Sequence, residues 1–241
     1  MKKLMIVAAA ALGMTAFADI ESVNVVGYTE TALQGFKMLT PSFKNITAAA
    51  YPIDNFVVKG ATDGMTTIQV LGSRGQVVGS YYWYNEFVDG DTVYPAGWFD
   101  FSGAEPANIS LNPGEAVFFY TDETGVSVVS AGEVPGAVTH DVVGFAMLGN
   151  ASPVTIDVDK MTVANATDGM TTIQVLNSKG QVEGSYYWYN EFAEGDTVYP
   201  AGWFDFSGAE PANIQLGAGE SVLFYTDESN VTTTVPAAIA E

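Results

Sequence analysis

Cysteine is absent from this chain of 241 residues, and histidine occurs once. The absence of cysteine excludes a disulfide framework, a cysteine nucleophile and a cysteine zinc site. The single histidine, His140, has no G-x-S-x-G nucleophile motif to accompany it, and no G-x-x-x-x-G-K-[ST] phosphate loop is present. We therefore expect a protein that is not an enzyme.

Basic residues are also scarce, with 8 Lys+Arg against 28 Asp+Glu and a net charge of −20. Nucleic acids and anionic membrane surfaces attract basic patches, so neither is an expected partner. Outside the N-terminal segment, no run of eighteen apolar residues predicts membrane insertion. Divalent cations are the ligands that such a charge favours.

The N-terminus has the pattern of a secretory signal peptide. Lys2 and Lys3 precede an apolar run from Leu4 to Met14, and Ala16-Phe17-Ala18 fits an A-x-A cleavage site. We expect residues 1–18 to be removed, leaving a net charge of 6 − 28 = −22. The predicted location is extracellular or on the cell surface, with the periplasm as a further option.

The dominant feature is an internal duplication with an offset of 105 residues. Residues 61–126 superpose on residues 166–231 without a gap, and 12 of these 66 positions differ. Units of this length are typical of whole domains. We predict domain 1 over residues 19–131, including an N-terminal lead-in strand, and domain 2 over residues 132–241.

Each unit has the periodicity of strands. Residues 65–87 contain two extended runs joined by Gly72-Ser73-Arg74-Gly75, which predicts a hairpin. Pro113-Gly114 predicts a turn before another strand, and Asp122-Glu123-Thr124-Gly125 predicts a turn after it. The fold class is therefore all-β, with two tandem homologous β-sandwich or small β-barrel domains.

An aromatic cluster occurs once in each unit. On a strand, Tyr81 and Trp83 share one face, and Tyr82 and Tyr84 share the other. The rings either fill the core or form exposed platforms on which sugar rings stack. The candidate carbohydrate-binding residues are Tyr82, Trp83, Trp98, Tyr187, Trp188 and Trp203.

Acidic turns supply two further hypotheses. Asp89, Asp91, Glu194 and Asp196 flank glycines and offer carboxylates to Ca²⁺, although Asp and Gly are also ordinary turn residues. Pairs such as Asp100 and Glu105 raise the idea of a glycoside-acting enzyme, which has little specificity in so acidic a chain.

The lead-in segment, with Val23, Val25, Val26 and Tyr28, has two interpretations. It is the first strand of its own domain, or it completes the sheet of a neighbouring molecule and so builds a fibre. The first interpretation is the simpler one.

Several short motifs carry a resemblance. NVVGY near the N-terminus, T-x-Q-V-L from Thr67, GWFD from Gly97, L-x-P-G-E from Leu111 and GEV from Gly132 resemble a group of uncharacterised exported bacterial β-rich repeat proteins. The resemblance implies an extracytoplasmic β-rich protein and transfers no catalytic residue.

Together these features predict a secreted, acidic structural or interaction protein that assembles with copies of itself into a surface layer, fibre or matrix. The alternative is a tandem carbohydrate-binding module for an extracellular polysaccharide, and a glycoside-acting enzyme comes third. Apart from Ca²⁺, no cofactor is expected.

Overall fold

The computed structural model describes residues 26–46 and 50–237, with 58% of residues in strands and 3% in helices. The all-β prediction is confirmed. The chain forms two similar units, half 1 (β1–β10) and half 2 (β11–β20). Half 1 contains β1 (Val26–Leu39), β2 (Tyr51–Pro52), β3 (Val57–Lys59), β4 (Thr67–Leu71), β5 (Val77–Tyr84), β6 (Phe87–Asp89), β7 (Thr92–Tyr94), β8 (Gly97–Phe99), β9 (Ser110–Leu111) and β10 (Val117–Glu133).

Half 2 repeats this order after the connector 134–137, and the predicted domain division at residue 132 lies near the end of β10. Its strands are β11 (Val138–Gly149), β12 (Ile156–Asp157), β13 (Thr162–Ala164), β14 (Thr172–Leu176), β15 (Val182–Tyr189), β16 (Phe192–Glu194), β17 (Thr197–Tyr199), β18 (Gly202–Phe204), β19 (Gln215–Leu216) and β20 (Ser221–Val235).

Each half contains one six-stranded antiparallel sheet. In half 1 the order is β1-β10-β4-β5-β8, and β3 pairs with the same long strand, β10. The predicted hairpin is confirmed, because β4 pairs with β5 across the turn at residues 72–76. In the described part of the chain neither sheet closes into a barrel, so the sandwich-like alternative is the one observed.

The core lies between this sheet and a small covering layer. The cover consists of the two-stranded β2–β9 ribbon and the short 3₁₀ turn Ile53–Asn55. Large side chains from both layers are fully buried, among them Trp98 and Phe119 of the sheet and Tyr51 of the ribbon. Burying each such ring contributes about 1.5–3 kcal/mol, which allows a domain without disulfides to fold.

The segment Asp122–Gly125 does not end a strand, which corrects the prediction of a turn there. The segments on either side of it both pair with β1, and the register jumps between Leu33, which faces Val126, and Gly35, which faces Thr121. The four residues form a bulge within one continuous strand, β10. The tertiary pairing with β1 overrides the local turn signal.

The lead-in strand pairs within its own half. Val26 lies opposite Glu133 and Tyr28 opposite Ala131, so both belong to the β1–β10 ladder. Val26 and Tyr28 therefore pair as the simpler interpretation predicts, and completion of a neighbouring molecule's sheet stays a prediction. Val23 and Val25, like the predicted signal peptide, lie outside the described residues.

The two halves contact each other through reciprocal backbone bonds. Phe36 N donates to Ser178 O at 2.7 Å, and the equivalent Phe145 N donates to Ser73 O at 2.7 Å. The accepting serines lie in the β14–β15 and β4–β5 turns. A mixed apolar cluster joins the halves, with Met38, Ala116 and Met147 buried against Leu71, Phe118, Leu176 and Leu223.

Glycine is required where these bonds form. Gly35 has φ +67°, and a Cβ there would lie 2.1 Å from Ser178 O. Gly144 has φ +73°, and its Cβ would lie 2.0 Å from Ser73 O. A side chain at either position would meet both a left-handed backbone and the opposite hairpin. The glycine of GFKML and GFAML therefore sets how closely the halves approach.

Candidate interaction surface

The aromatic residues of β5 divide between two faces, as the alternation predicts. Trp83 is 2% exposed and stacks edge-to-face on its cross-strand partner Trp98, with ring centroids 5.4 Å apart. The indole Nε1 of Trp98 donates to Phe56 O at 3.0 Å. Trp188 and Trp203 repeat this arrangement.

The four tryptophans are therefore core residues, which corrects their assignment to an exposed sugar platform. An indole offers its face to a sugar only if water reaches that face. Of the six candidate carbohydrate-binding residues, only Tyr82 and Tyr187 point outward, and both are half-buried.

The opposite face carries a different aromatic set, which we call the outer aromatic surface. Tyr82 contacts Phe101 edge-to-face at 5.4 Å, and Tyr84 contacts Phe99 at 6.0 Å. Phe101 is 79% exposed. The equivalent surface of half 2 has the same ring contacts and consists of Tyr187, Tyr189, Phe204 and Phe206.

An ordered loop holds Phe101 in water. The Asp100 carboxylate accepts hydrogen bonds from Ser102 Oγ at 2.8 Å and from Ala104 N at 3.1 Å. Tyr84 Oη donates to Phe101 O at 3.1 Å. The bond from the Ser102 hydroxyl, with smaller contributions from backbone amides, lowers the pKa of Asp100. The phenyl ring is thus presented on a hydrogen-bonded frame, and half 2 repeats the frame around Asp205.

A second exposed apolar feature is a separate two-stranded hairpin that follows β5 in the chain. We call the hairpin of β6 and β7, residues 87–94, the arm hairpin, with residues 192–199 as its equivalent. Phe87 and Tyr94 stack with centroids 4.4 Å apart and planes 2° from parallel. On its other face Val88 and Val93 are 62% and 56% exposed. Both faces of this ribbon meet water.

The candidate calcium ligands lie at the tips of the arm hairpins. Asp89 ends β6 and Asp91 follows the turn at Gly90, with Glu194 and Asp196 equivalent in half 2. Across residues 26–46 and 50–237, no group of three or more His, Asp or Glu side chains is placed to hold a metal ion. Calcium would need carbonyl or water oxygens beyond these carboxylates, so this site stays a prediction.

The carboxyl groups bear on the enzyme hypothesis. A general acid needs a raised pKa, whereas hydrogen bonding lowers the pKa of Asp100. Burial raises the pKa of Asp54, but this carboxylate accepts a hydrogen bond from Trp98 N at 3.3 Å and so supports the core. His140 lies in β11, where burial lowers its pKa against the opposing effects of Glu115 and the Pro113 carbonyl.

Two spaces in the described chain differ in volume and in how far they open to solvent. One of about 190 Å³ lies between the halves, lined partly by Phe36, Met38 and Leu216 and by the Lys37–Glu220 ion pair. Ordinary ligand pockets measure about 300–1,000 Å³. A larger space of about 480 Å³ is an open groove along β1. This volume falls within that range, although the groove is open to solvent.

The fold and this surface define a class: an all-β protein of two homologous halves, each with an outer aromatic surface and an arm hairpin. No protein family, curated protein or solved structure matches the chain. The resemblance to exported bacterial repeat proteins therefore stays a prediction. Among the described residues, no helix is long and apolar enough to cross a membrane.

Sequence reasoning missed Phe101, Phe206 and the arm hairpins as surface features. A signal was available for the arm, because Phe87 and Tyr94 are symmetrically placed about the two-residue turn Gly90–Asp91. For Phe101 the signal was its position between the turn-forming residues Asp100 and Ser102. Both signals are local, and only the exposed fractions of the rings in the folded structure show that they contact water.

Proposed function

We propose that this protein is a secreted structural subunit that associates with copies of itself through its outer aromatic surfaces and arm hairpins. The observation that carries the proposal is the exposure of Phe101 and Phe206, each 79% exposed and each held by the same hydrogen-bonded loop. Exposed apolar patches on ordered frames are typical of protein interfaces.

A second copy of the chain is the partner that this arrangement fits. Each molecule carries the surface twice, so contacts between surfaces on different molecules continue from one copy to the next. An isolated two-stranded hairpin is marginally stable in water. Covering both faces of the arm by another molecule would stabilise it, because Phe87, Val88, Val93 and Tyr94 would all lose contact with water.

Charge sets the conditions for this association. The chain from Asp19 to Glu241 has a net charge of 6 − 28 = −22, which opposes contact between copies. At an ionic strength of 0.1 M the screening length is about 10 Å, so salt weakens this repulsion while leaving apolar attraction in place. We therefore expect association to increase with NaCl concentration, unlike binding to a cationic partner, which salt weakens.

Carbohydrate binding has less support from the geometry. The indoles are buried, and the outer rings meet at 70° and 83° and do not form a flat row. Sugar recognition by aromatics uses accessible ring faces. A glycan that disperses the assemblies would favour this alternative.

The test is light scattering with electron microscopy on the chain from Asp19 to Glu241, over a series of NaCl concentrations. We expect multimers that the double variant Phe101→Ser/Phe206→Ser loses. The matched control is Val57→Thr, which removes an exposed apolar residue where half 2 already carries Thr162. A chain that stays monomeric at all salt concentrations, or a double variant that assembles like the control, would contradict the proposal. Repeating the series with Ca²⁺ and with chelator tests whether the carboxylates at the arm tips bind calcium.

A further inference from the structure

The contacts between half 1 and half 2 are related by the internal repeat. The bond from Phe36 N to Ser178 O has its counterpart from Phe145 N to Ser73 O. The bond from Thr40 N to Gly219 O, at 2.9 Å, likewise has a counterpart from Gly149 N to Gly114 O, also at 2.9 Å.

The strands at this interface are paired reciprocally as well. Leu39 of β1 bridges Glu220, just before β20, and Leu148 of β11 bridges Glu115, just before β10. The end of each half's first strand thus pairs with the residue just before the other half's last strand. This arrangement is that of a twofold homodimer interface contained in one chain.

The residues that make these contacts are largely identical in the two halves. Glycine, phenylalanine and methionine occupy the same places in GFKML and GFAML, and the accepting residue is serine on both sides. The ion pair at this interface belongs to one side: Lys37 Nζ is 3.4 Å from Glu220, whereas Ala146 occupies the equivalent place in GFAML.

The covalent link between half 1 and half 2 of one molecule is a short connector. It consists of residues 134–137, Val-Pro-Gly-Ala, between β10 and β11. Exchange of identical elements between protomers is a low-cost route to oligomers, and short hinge segments favour it. The contact groups of half 1 are the same whether half 2 belongs to the same molecule or to a second molecule.

We infer that the halves exchange between molecules, so that half 1 of one copy pairs with half 2 of a second copy through the Gly35 and Gly144 contacts. The exchange is a further form of the proposed self-assembly. It uses the interface between the halves and does not need the outer aromatic rings. Pairing within one chain has an effective concentration in the millimolar range, so exchange requires concentrated protein or refolding together.

A cross-linking experiment reports this pairing directly, since the chain has no native cysteine. One full-length chain carries Lys37→Cys and a second carries Glu220→Cys. They are unfolded together, refolded at high concentration and treated with a short bis-maleimide. The control mixture joins Lys37→Cys with Gly195→Cys, at an arm tip where nothing lies within 4 Å. A single chain with both Lys37→Cys and Glu220→Cys shows that the reagent spans the interface.

We expect cross-linked heterodimer at least about tenfold above the control mixture, a ratio equivalent to about 1.4 kcal/mol. The yield should persist when both chains also carry Phe101→Ser/Phe206→Ser, which separates this inference from the aromatic surfaces. Equal yields in test and control mixtures, or no heterodimer while the double-cysteine chain cross-links internally, would overturn the inference.

Discussion

Replacing Gly35 by alanine adds one methyl group but should weaken the contact between the halves substantially. The backbone there has φ +67°, and the new Cβ would lie 2.1 Å from Ser178 O. The left-handed conformation costs an alanine about 1–2 kcal/mol. Moving the hairpin away also breaks the 2.7 Å bond from Phe36 N, at about 1–3 kcal/mol if that amide is left buried without a partner. We expect a loss of about 2–5 kcal/mol in the free energy of unfolding.

The matched control is Gly125→Ala. Gly125 also has positive φ, at +78°, but nothing lies within 4 Å of its Cβ position, and half 2 accommodates Asn230 there at φ +67°. This variant should lose only the backbone contribution of about 1–2 kcal/mol. The difference between the two variants therefore isolates the contact between hairpin and strand.

Urea unfolding followed by tryptophan fluorescence measures both variants, because all four indoles are buried. A loss of 1 kcal/mol lowers the Tm of a chain of this size by about 2–4 °C, so the difference is also visible in thermal scans. Gly144→Ala should match Gly35→Ala by the reciprocity of the interface. Equal losses for Gly35→Ala and Gly125→Ala would refute the reasoning, since the approach of Ser178 would then have no energetic effect.

Three further predictions follow from individual side chains. Trp98→Ala should lower the free energy of unfolding by about 3–5 kcal/mol, because it empties a fully buried site and leaves Phe56 O without its indole donor. If the same urea assay showed a smaller loss of free energy than a substitution of an exposed residue, the prediction would be contradicted. Burial lowers the pKa of His140 in the folded state, so the unfolded chain binds its proton more readily and stability falls as pH drops below about 6.5. In thermal scans from pH 8 to pH 5, the Tm of His140→Gln should fall less than the Tm of the unsubstituted chain. Identical slopes of Tm against pH would count against a role for His140. Asp100→Asn should loosen the loop that presents Phe101. Self-association measured by light scattering should then weaken, with little change in Tm. Unchanged association would show that the hydrogen bonds of Asp100 are not needed for it.

The secondary structure of the halves was largely predictable because its signals are local. Alternating apolar positions and turn residues correctly gave the β4–β5 hairpin, and alternation in β5 correctly separated Trp83 from Tyr82. Which of those two faces was buried did not follow from alternation, since both carry aromatic rings. The choice depends on the β2–β9 ribbon and the 3₁₀ turn, which cover only one side of the sheet.

The turn predicted at Asp122–Gly125 failed for a related reason. Acidic residues followed by glycine favour a chain reversal in isolation. In the folded chain both flanking segments find the same partner, β1, and a ladder on both sides of the bulge outweighs the local preference. The candidate surface was found in part, through Tyr82 and Tyr187, while its most exposed rings, Phe101 and Phe206, were not among the predicted site residues.

The sequence by itself determined an acidic chain of two homologous all-β halves, because repetition, charge and strand periodicity can be read from neighbouring residues. The tertiary structure decided how those halves meet, which rings face water and why Gly35 and Gly144 are glycines. These properties depend on contacts such as that of Phe36 with Ser178, between residues far apart in the chain. Local periodicity carries no information about such partners, since the same strand pattern is satisfied by any neighbour of suitable shape.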